Sequence, residues 1–358
     1  MQNKEEDFNY VDYTPRRAIN STSRIPTTPN KLTLAKYRRS YFYQQLAKQD
    51  HHELDFMDSP AVRRHFGISE TVAVLDDKPP SVHLPQRTTP WTIQDFVVGE
   101  HLGKGKFGSV YKAQEVNSGQ IVALKILKKK ELEQHKVEPF IKREIEIQGH
   151  LNHPTITRLY GYFHDQEQIY LVLEYAGDKD LYSCLETHGV FTETEAANSI
   201  VEIANGLAYM HQLGVFHRDI KLENSNDDGT LKIADFGWAV YDPNPRRNTF
   251  CGTLDYLPPE MIQRQSHGAT VDIWALGILC YELLVGQAPF EDPKDRLEQE
   301  GHEATYRRIV EARITFPPDL SDGARQFILK CLQKNPSQRI SMASVAYDPW
   351  IQSNKRID

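Results

Sequence analysis

The sequence predicts an α+β chain of two lobes, a small antiparallel β-sheet lobe with one helix and a larger, mostly helical lobe, preceded by a flexible tail. Three observations predict it. Residues 1–90 mix Pro, Ser, Thr, Gln and Asn with scattered charge and hold no sustained period. At Trp91 the chain changes to short β-rich runs joined by turn residues, and beyond Gly177 apolar residues take up helical spacing. The expected divisions are therefore a tail over 1–90, a small lobe over 91–176 and a large lobe over 177–358.

Composition allows this architecture and excludes others. The chain has 358 residues, of which 39% are hydrophobic and 25% charged, enough to bury a large core. Its four cysteines, Cys184, Cys251, Cys280 and Cys331, are far apart and form neither a CxxC pair nor a zinc-ligand spacing, which points to a reducing compartment. Met1–Asp7 is polar and charged, unlike a secretory signal. The most apolar run, Ala275–Val285, is too short to span a bilayer and contains Glu282, so no membrane association is expected. Residues 1–90 carry 13 Lys+Arg and 11 Asp+Glu, whereas the remainder carries 29 and 38. An acidic main body favours basic peptides over nucleic acid as a partner.

Taken in order, the tail contains one denser stretch, Lys31–Phe56, with Leu34, Tyr37, Tyr41 and Leu46 on roughly one helical face. It reads either as a docking helix for a partner or as a solvated segment with transient helix. Pro79-Pro80, Pro85 and Pro90 mark a linker. Strands are expected at Phe96–Val98, Ser109–Ala113 and Ile121–Ile126, with Asn117-Ser118-Gly119 as a hairpin turn. A helix over Glu138–Leu151 places Phe140, Ile141, Ile145 and Ile147 against the core, and Ile169–Tyr175 is a buried strand. Further helices are expected over Glu193–Leu213, Thr270–Val285, Thr305–Ala312 and Asp322–Leu332. The joint falls near Glu174–Gly177, so the cleft between the lobes is the expected ligand site.

Four motifs carry chemistry. Gly103-Lys104-Gly105-Lys106-Phe107-Gly108 lies between two strands, where glycines let backbone N–H groups approach a phosphate chain; a dinucleotide site would need a helix next. Lys125 is the one cation of the run Val122–Lys125, and an unpaired ammonium on a buried strand is costly. Its expected partners are phosphates and a helix carboxylate, for which Glu144 is the candidate and Glu146, on the same helix, the alternative; position in the motif favours Glu144. His217-Arg218-Asp219-Ile220-Lys221-Leu222-Glu223-Asn224 then offers a carboxylate to orient a hydroxyl and a lysine to neutralise a phosphoryl group. Asn224 and Asp235, in Asp235-Phe236-Gly237, are hard oxygen ligands suited to Mg²⁺. In this order the set resembles the protein-kinase signature, which implies a bilobal protein-kinase fold and transfer of phosphate from ATP.

The resemblance is closer than that. Pro90–Phe96, Arg143–Gln148, Leu159–Phe163, Asp235–Trp238 and Cys251–Ile262, above all Tyr256-Leu257-Pro258-Pro259-Glu260, resemble Aurora-type serine/threonine kinases over about residues 88 to 355. The likeness implies Asp219, Lys221 and Lys125 as catalytic residues. It implies a nucleotide site of Leu102, Gly103, Lys104, Gly105, Gly108, Val110, Ala123, Lys125, Glu144, Leu173, Glu174, Ala176, Asp180, Asn224 and Asp235, with Mg²⁺ on Asn224 and Asp235. Thr249 matches an activating phosphothreonine held by Arg143, Arg218 and Arg247, in keeping with the strength of phosphate–guanidinium pairing. Glu223 resembles a substrate-arginine contact and Thr253 a contact beside the acceptor hydroxyl; Glu260 is expected to pair with Arg339, and Asp272 and Trp274 to support the catalytic loop. An Arg-Arg-x-Ser/Thr preference would make Arg246–Thr249 a self-substrate. The implied partners are histone tails, kinetochore or microtubule proteins as substrates, and an inner-centromere-protein-like or spindle-targeting activator on the small lobe. The implied locations are nucleus, chromosome and kinetochore, spindle and cytoplasm.

One stretch departs from that pattern. After Asn224 the family has an apolar strand whose leucine underlies adenine, but here the chain reads Ser225-Asn226-Asp227-Asp228-Gly229-Thr230 and is about two residues shorter before Asp235, with Leu222 in place of proline. A polar floor forgoes much of the roughly 1.5–3 kcal/mol a buried leucine contributes. An inactive scaffold is accordingly the competing expectation to an active enzyme.

Overall fold

The computed structural model describes residues 90–105, 107–177, 181–221, 231–242, 250–292 and 301–355. The expected tail and the Lys31–Phe56 stretch lie outside them.

The small lobe is a five-stranded antiparallel sheet of β1 (Phe96–Lys104), β2 (Gly108–Glu115), β3 (Ile121–Lys128), β4 (Leu159–His164) and β5 (Gln168–Glu174), ordered β1-β2-β3-β5-β4. The β2–β3 turn closes with Gly119 at φ 70°, a left-handed position that favours glycine. Alternation along β3 sorts its side chains. Val122 and Leu124 pack with Phe96, Phe163 and Tyr170 on the outer face. Ala123, Lys125 and Leu127 point the other way, where Leu127 and Leu171 meet Leu132 and Ile141. Register sets Lys125 between Val110 and Leu171.

Two helices follow β3 where one was expected. Short α1 (Lys129–His135) ends at Lys136 in the left-handed region, and α2 (Glu138–Gly149) carries Ile141, Glu144, Ile147 and Gln148 on its buried side. Apart from Leu132, α1 is polar, so the sequence gives no apolar stripe to mark it.

The large lobe is built on α3 (Leu181–His188), α4 (Glu193–Gln212), the β6–β7 ribbon (Val215–Phe216 with Val240–Tyr241), α5 (Pro259–Ile262), α6 (Thr270–Val285), α7 (Gly301–Glu311), α8 (Asp322–Cys331) and α9 (Pro349–Ser353). Helix α6 is buried almost all round and packs on α4 and α8. The helix expected from Thr305 begins at Gly301, because its polar first turn shows no apolar period, and Ala312 at φ 53° ends it. No helix among the described residues is long and apolar enough to cross a membrane.

Arg339 joins α5 to the start of α6. Its Nη1 and Nη2 donate to Glu260 Oε1 and Oε2 at 2.6 and 2.7 Å, and Nη1 also donates to the Thr270 carbonyl at 2.8 Å. Both side chains are essentially fully buried. Arg339→Ala leaves the Glu260 carboxylate buried and unpaired, and should lower unfolding free energy by about 3–5 kcal/mol in urea titrations. A loss below about 1 kcal/mol would show that the pair does not anchor α5.

Candidate active site

A cavity of about 510 Å³ lies between the sheet and the helical lobe. Its roof is Leu102, Gly103, Lys104, Gly105, Gly108 and Val110 from the β1–β2 hairpin with Ala123 and Lys125 from β3; its rear and outer edges are Glu144, Leu173, Glu174 and Ala176. Asp219, Lys221, Asp235 and Thr253 line the opposing side. All of these were expected from the sequence. Asp180, Glu223, Asn224, Arg247 and Thr249 lie outside the described residues, as does Ser225–Thr230.

Each charged group is aimed by its local backbone. At Gly108 a Cβ would stand 1.8 Å from the Ile126 carbonyl oxygen, so only glycine lets β2 pass this close to β3. Lys125 Nζ reaches Glu144 Oε1 at 2.5 Å, which selects Glu144 over Glu146, and lies 3.9 Å from Asp235 Oδ1. Burial pushes the Glu144 carboxyl above its ordinary range, Lys125 draws it back and Asp235 pushes it further up. Asp235 sits at φ 63°, ψ 73°, which directs its half-exposed carboxylate into the cleft, where Lys221 Nζ stands 3.7 Å away. Phe236 is meanwhile buried edge-on to His217, with ring centroids 5.0 Å apart.

Asp219 receives three contacts. Lys221 Nζ is 3.3 Å from Oδ2, Thr253 Oγ1 donates to Oδ1 at 2.8 Å, and the Asp219 N–H points to His217 Nδ1 at 3.3 Å. His217 Nε2 faces the Ala234 carbonyl at 3.2 Å, so this ring donates on one side and accepts on the other, as neutral imidazole does. Burial pushes its pKa down and keeps it neutral, against the pull of Asp272, Asp219 and Asp235.

Beneath the loop, Asp272 accepts the N–H of His217 at 3.0 Å and of Arg218 at 2.7 Å, while its Oδ2 meets His211 Nε2 at 2.8 Å. Arg218 is held at φ 68°, with Nε donating to the Trp238 carbonyl at 2.9 Å. Its Nη1 is buried without a hydrogen-bond partner among the described residues, and Arg143 is equally buried. Such an orphaned guanidinium nitrogen suits an anion from outside the described framework.

The cleft also suits the nucleotide and metal that a kinase uses. Apolar Leu102, Val110, Ala123 and Leu173 offer a flat slot, and two lysines stand where phosphate charge would fall. Among the described residues no group of three His, Cys, Asp or Glu forms a metal cage. Asp235 instead offers one hard carboxylate in an open cleft, which fits a cation that completes its shell with phosphate oxygens and water.

Comparison with known proteins decides the family. A model described as protein kinase domain matches residues 96–351. The chain is 50% identical over 273 residues to Aurora kinase B of Mus musculus, covering 76% of this chain and 77% of that one. It is 50% identical over 275 residues to Aurora kinase B-A of Xenopus laevis, covering 76% and 74%, and 51% identical over 266 residues to an Aurora kinase of Patiria pectinifera, covering 73% and 64%. The chain belongs to the Aurora kinases. It is thus an ATP-using protein serine/threonine kinase of bilobal fold, and no observation favours the inactive-scaffold alternative.

The sequence reading missed several residues that line the cleft. Gln148 donates through Nε2 to the Thr157 carbonyl at 2.8 Å at the rear, and Tyr256 donates through its hydroxyl to Glu282 Oε2 at 2.5 Å at the front. Glu282 did leave a signal, a lone carboxylate in the apolar run of α6.

The Asp272 contacts give a signed pH dependence. Burial raises this carboxyl, but His211 and the Arg218 N–H outweigh it, and the net shift is below the ordinary 3.8. The contribution to stability is therefore complete above about pH 4 and lost as pH falls through the lower folded value. The stability gap between wild type and Asp272→Asn in urea should be about 2 kcal/mol at neutral pH and shrink below about pH 4. A gap that widened in acid would contradict the assignment.

Proposed function

We propose that this cleft transfers the γ-phosphoryl group of Mg-ATP to serine or threonine in proteins with arginine or lysine upstream of the acceptor. The observation that carries it is the convergence of Asp219, Lys221, Asp235 and the Lys125–Glu144 pair on one cavity, with Thr253 bonded to Asp219. Lys125, fixed by Glu144, positions the α and β phosphates. Asp219 orients the acceptor hydroxyl and receives its proton as the new O–P bond forms and the bond to the ADP oxygen breaks. Lys221 offsets charge on the moving phosphoryl group. Asn224 and Asp235 would hold Mg²⁺, whose charge offsets that on the phosphate oxygens.

The preference for basic substrates has support from Glu282, which together with Tyr256 presents an acceptor to the cleft; Glu223 joins it as the expected second carboxylate. Activation by phosphorylation of Thr249 has support from the buried Arg143 and Arg218, the latter with an orphaned Nη1. Membership among the Aurora kinases supports a role in mitosis and chromosome segregation, at chromosomes, kinetochores and spindle in nucleus and cytoplasm. The corresponding substrates are histone tails, kinetochore and microtubule proteins. An inner-centromere-protein-like or spindle-targeting activator on the small lobe would meet the exposed Val97, Val98 and Val116, which adjoin through the Val116 N–H to Asp95 carbonyl bond at 2.9 Å.

Asp219→Asn should lower kcat by about 10³-fold with the affinity for Mg-ATP nearly unchanged, because it removes the proton acceptor and keeps the shape. Retention of more than about a tenth of wild-type kcat would exclude Asp219 from that role. On a peptide array, wild-type protein should select arginine upstream of Ser/Thr, and Glu282→Gln should raise KM for those peptides about tenfold while leaving KM for ATP unchanged. Selection of acidic or proline-directed peptides would overturn the substrate class. Thr249→Ala should lower the activity of protein incubated with ATP by about tenfold or more, with phosphate at residue 249 of the wild type seen by mass spectrometry.

A further inference from the structure

Two successive residues of the hinge are held by lysines from opposite lobes. Glu174, the last residue of β5, places Oε1 2.7 Å from Lys232 Nζ, and its Oε2 accepts the Arg158 N–H at 3.1 Å. Its carboxylate is thereby tied both to the segment that leads into Asp235 and to the residue just before β4. The next residue, Tyr175, lines the cleft, and its hydroxyl accepts a hydrogen bond from Lys112 Nζ at 2.7 Å. The same ammonium lies 4.3 Å from the centre of the Tyr175 ring.

Lys112 belongs to β2, where it pairs in register with Ala123 and shares a face with Val110. Val110 and Ala123 line the cleft, whereas Lys112 does not. The register of β3 with β5 ends at Glu174, opposite Val122, and Gly177 then turns at φ 83°. The backbone groups of this stretch are the ones that can read the edge of a base.

We infer that Lys112 is a positioning residue for base recognition, holding Tyr175, and through it the hinge, from strand β2. One ammonium that donates to the hydroxyl and lies 4.3 Å from the ring centre fixes the outer end of this side chain, so the hinge is ordered before ligand arrives. The effect is transmitted through Tyr175 and not through contact with phosphate, and therefore falls equally on a nucleoside and its diphosphate. The inference rests on the reading of the cleft as a nucleotide site.

The test titrates wild type, Lys112→Leu, Lys112→Arg and Tyr175→Phe with adenosine and with ADP by calorimetry, and follows steady-state kinetics with ATP and a basic peptide. Lys112→Leu should weaken adenosine and ADP by the same factor, about three- to tenfold, and raise KM for ATP to match, with kcat within about twofold and peptide KM unchanged. Lys112→Arg should restore binding to within about twofold, and Tyr175→Phe, which keeps the ring, should fall between. Weakened ADP with unchanged adenosine would overturn the inference, because Lys112 would then act on phosphate. Unchanged binding of both, or a fall in kcat and melting temperature with KM unchanged, would overturn it as well. A wild type that binds neither adenosine nor ADP would remove the nucleotide-site reading itself and the inference with it.

Discussion

The buried carboxylate of Asp272 is the constraint on which the catalytic loop depends. Two consecutive backbone N–H groups, His217 and Arg218, point into the interior of the large lobe, where no water reaches them, and both end on Asp272. Arg218 is meanwhile in the left-handed region, a conformation that costs a non-glycine residue about 1–3 kcal/mol and persists only when its surroundings fix it. Gly252 approaches from the other side so closely that a Cβ there would lie 2.7 Å from the Arg218 carbonyl oxygen. The strained turn points Asp219 and Lys221 into the cleft. Asp272 belongs to α6, and so does Trp274, whose ring lies 5.0 Å under the Arg339 guanidinium that clamps Glu260. The catalytic loop and the end of the activation segment therefore hang from one apolar helix, and their relative position is that helix's rigidity.

Charge within the cleft has the same sign as the average of the chain. The body carries more acid than base, and the cavity sets Lys125 and Lys221 among three carboxylates, Asp235, Asp219 and Glu144. Each lysine has a carboxylate of its own, Glu144 for Lys125 and Asp219 for Lys221, and half-exposed Asp235 lies 3.9 and 3.7 Å from the two. Such a cluster holds its lysines without burying bare charge, which would be prohibitive, and its excess of acid suits a polyphosphate that arrives with a cation. A few fixed side chains decide the ligand, and net charge sets only the sign of approach.

What was legible in the sequence follows the range of the interactions. Helix Thr270–Val285 and the β3 strand were readable because their apolar periods are local. Lys125 and its carboxylate were readable from the motif, whose spacing favours Glu144 over Glu146, and the fold supplies the contact itself. Short polar α1 left no stripe, and α3, with only Leu181 and Leu185 buried, left too little of one. Glu282 and Tyr256 meet across 26 residues, Lys112 and Tyr175 across 63. No composition or spacing rule announces a contact between two ordinary polar side chains at that separation. Such partners become visible only when the sheet register and the helix packing bring their backbones together.

Beyond Ser225–Thr230, the chain rejoins the framework at residues that fix the approach to Asp235. Leu231 follows immediately, buried in the main core, and its N–H donates to Glu202 Oε2 of α4 at 2.8 Å. Two residues on, fully buried Ile233 forms a parallel bridge to Ile156: its N–H donates to the Thr155 carbonyl at 2.7 Å and its own carbonyl accepts the Thr157 N–H at 2.9 Å. Lys232 between them holds Glu174 of the hinge. Within three residues the chain is thus fixed to α4, to the segment entering β4 and to the hinge, all before Asp235. The approach to Asp235 is therefore set by contacts that begin at Leu231, beyond the stretch where the sequence departs from the family pattern.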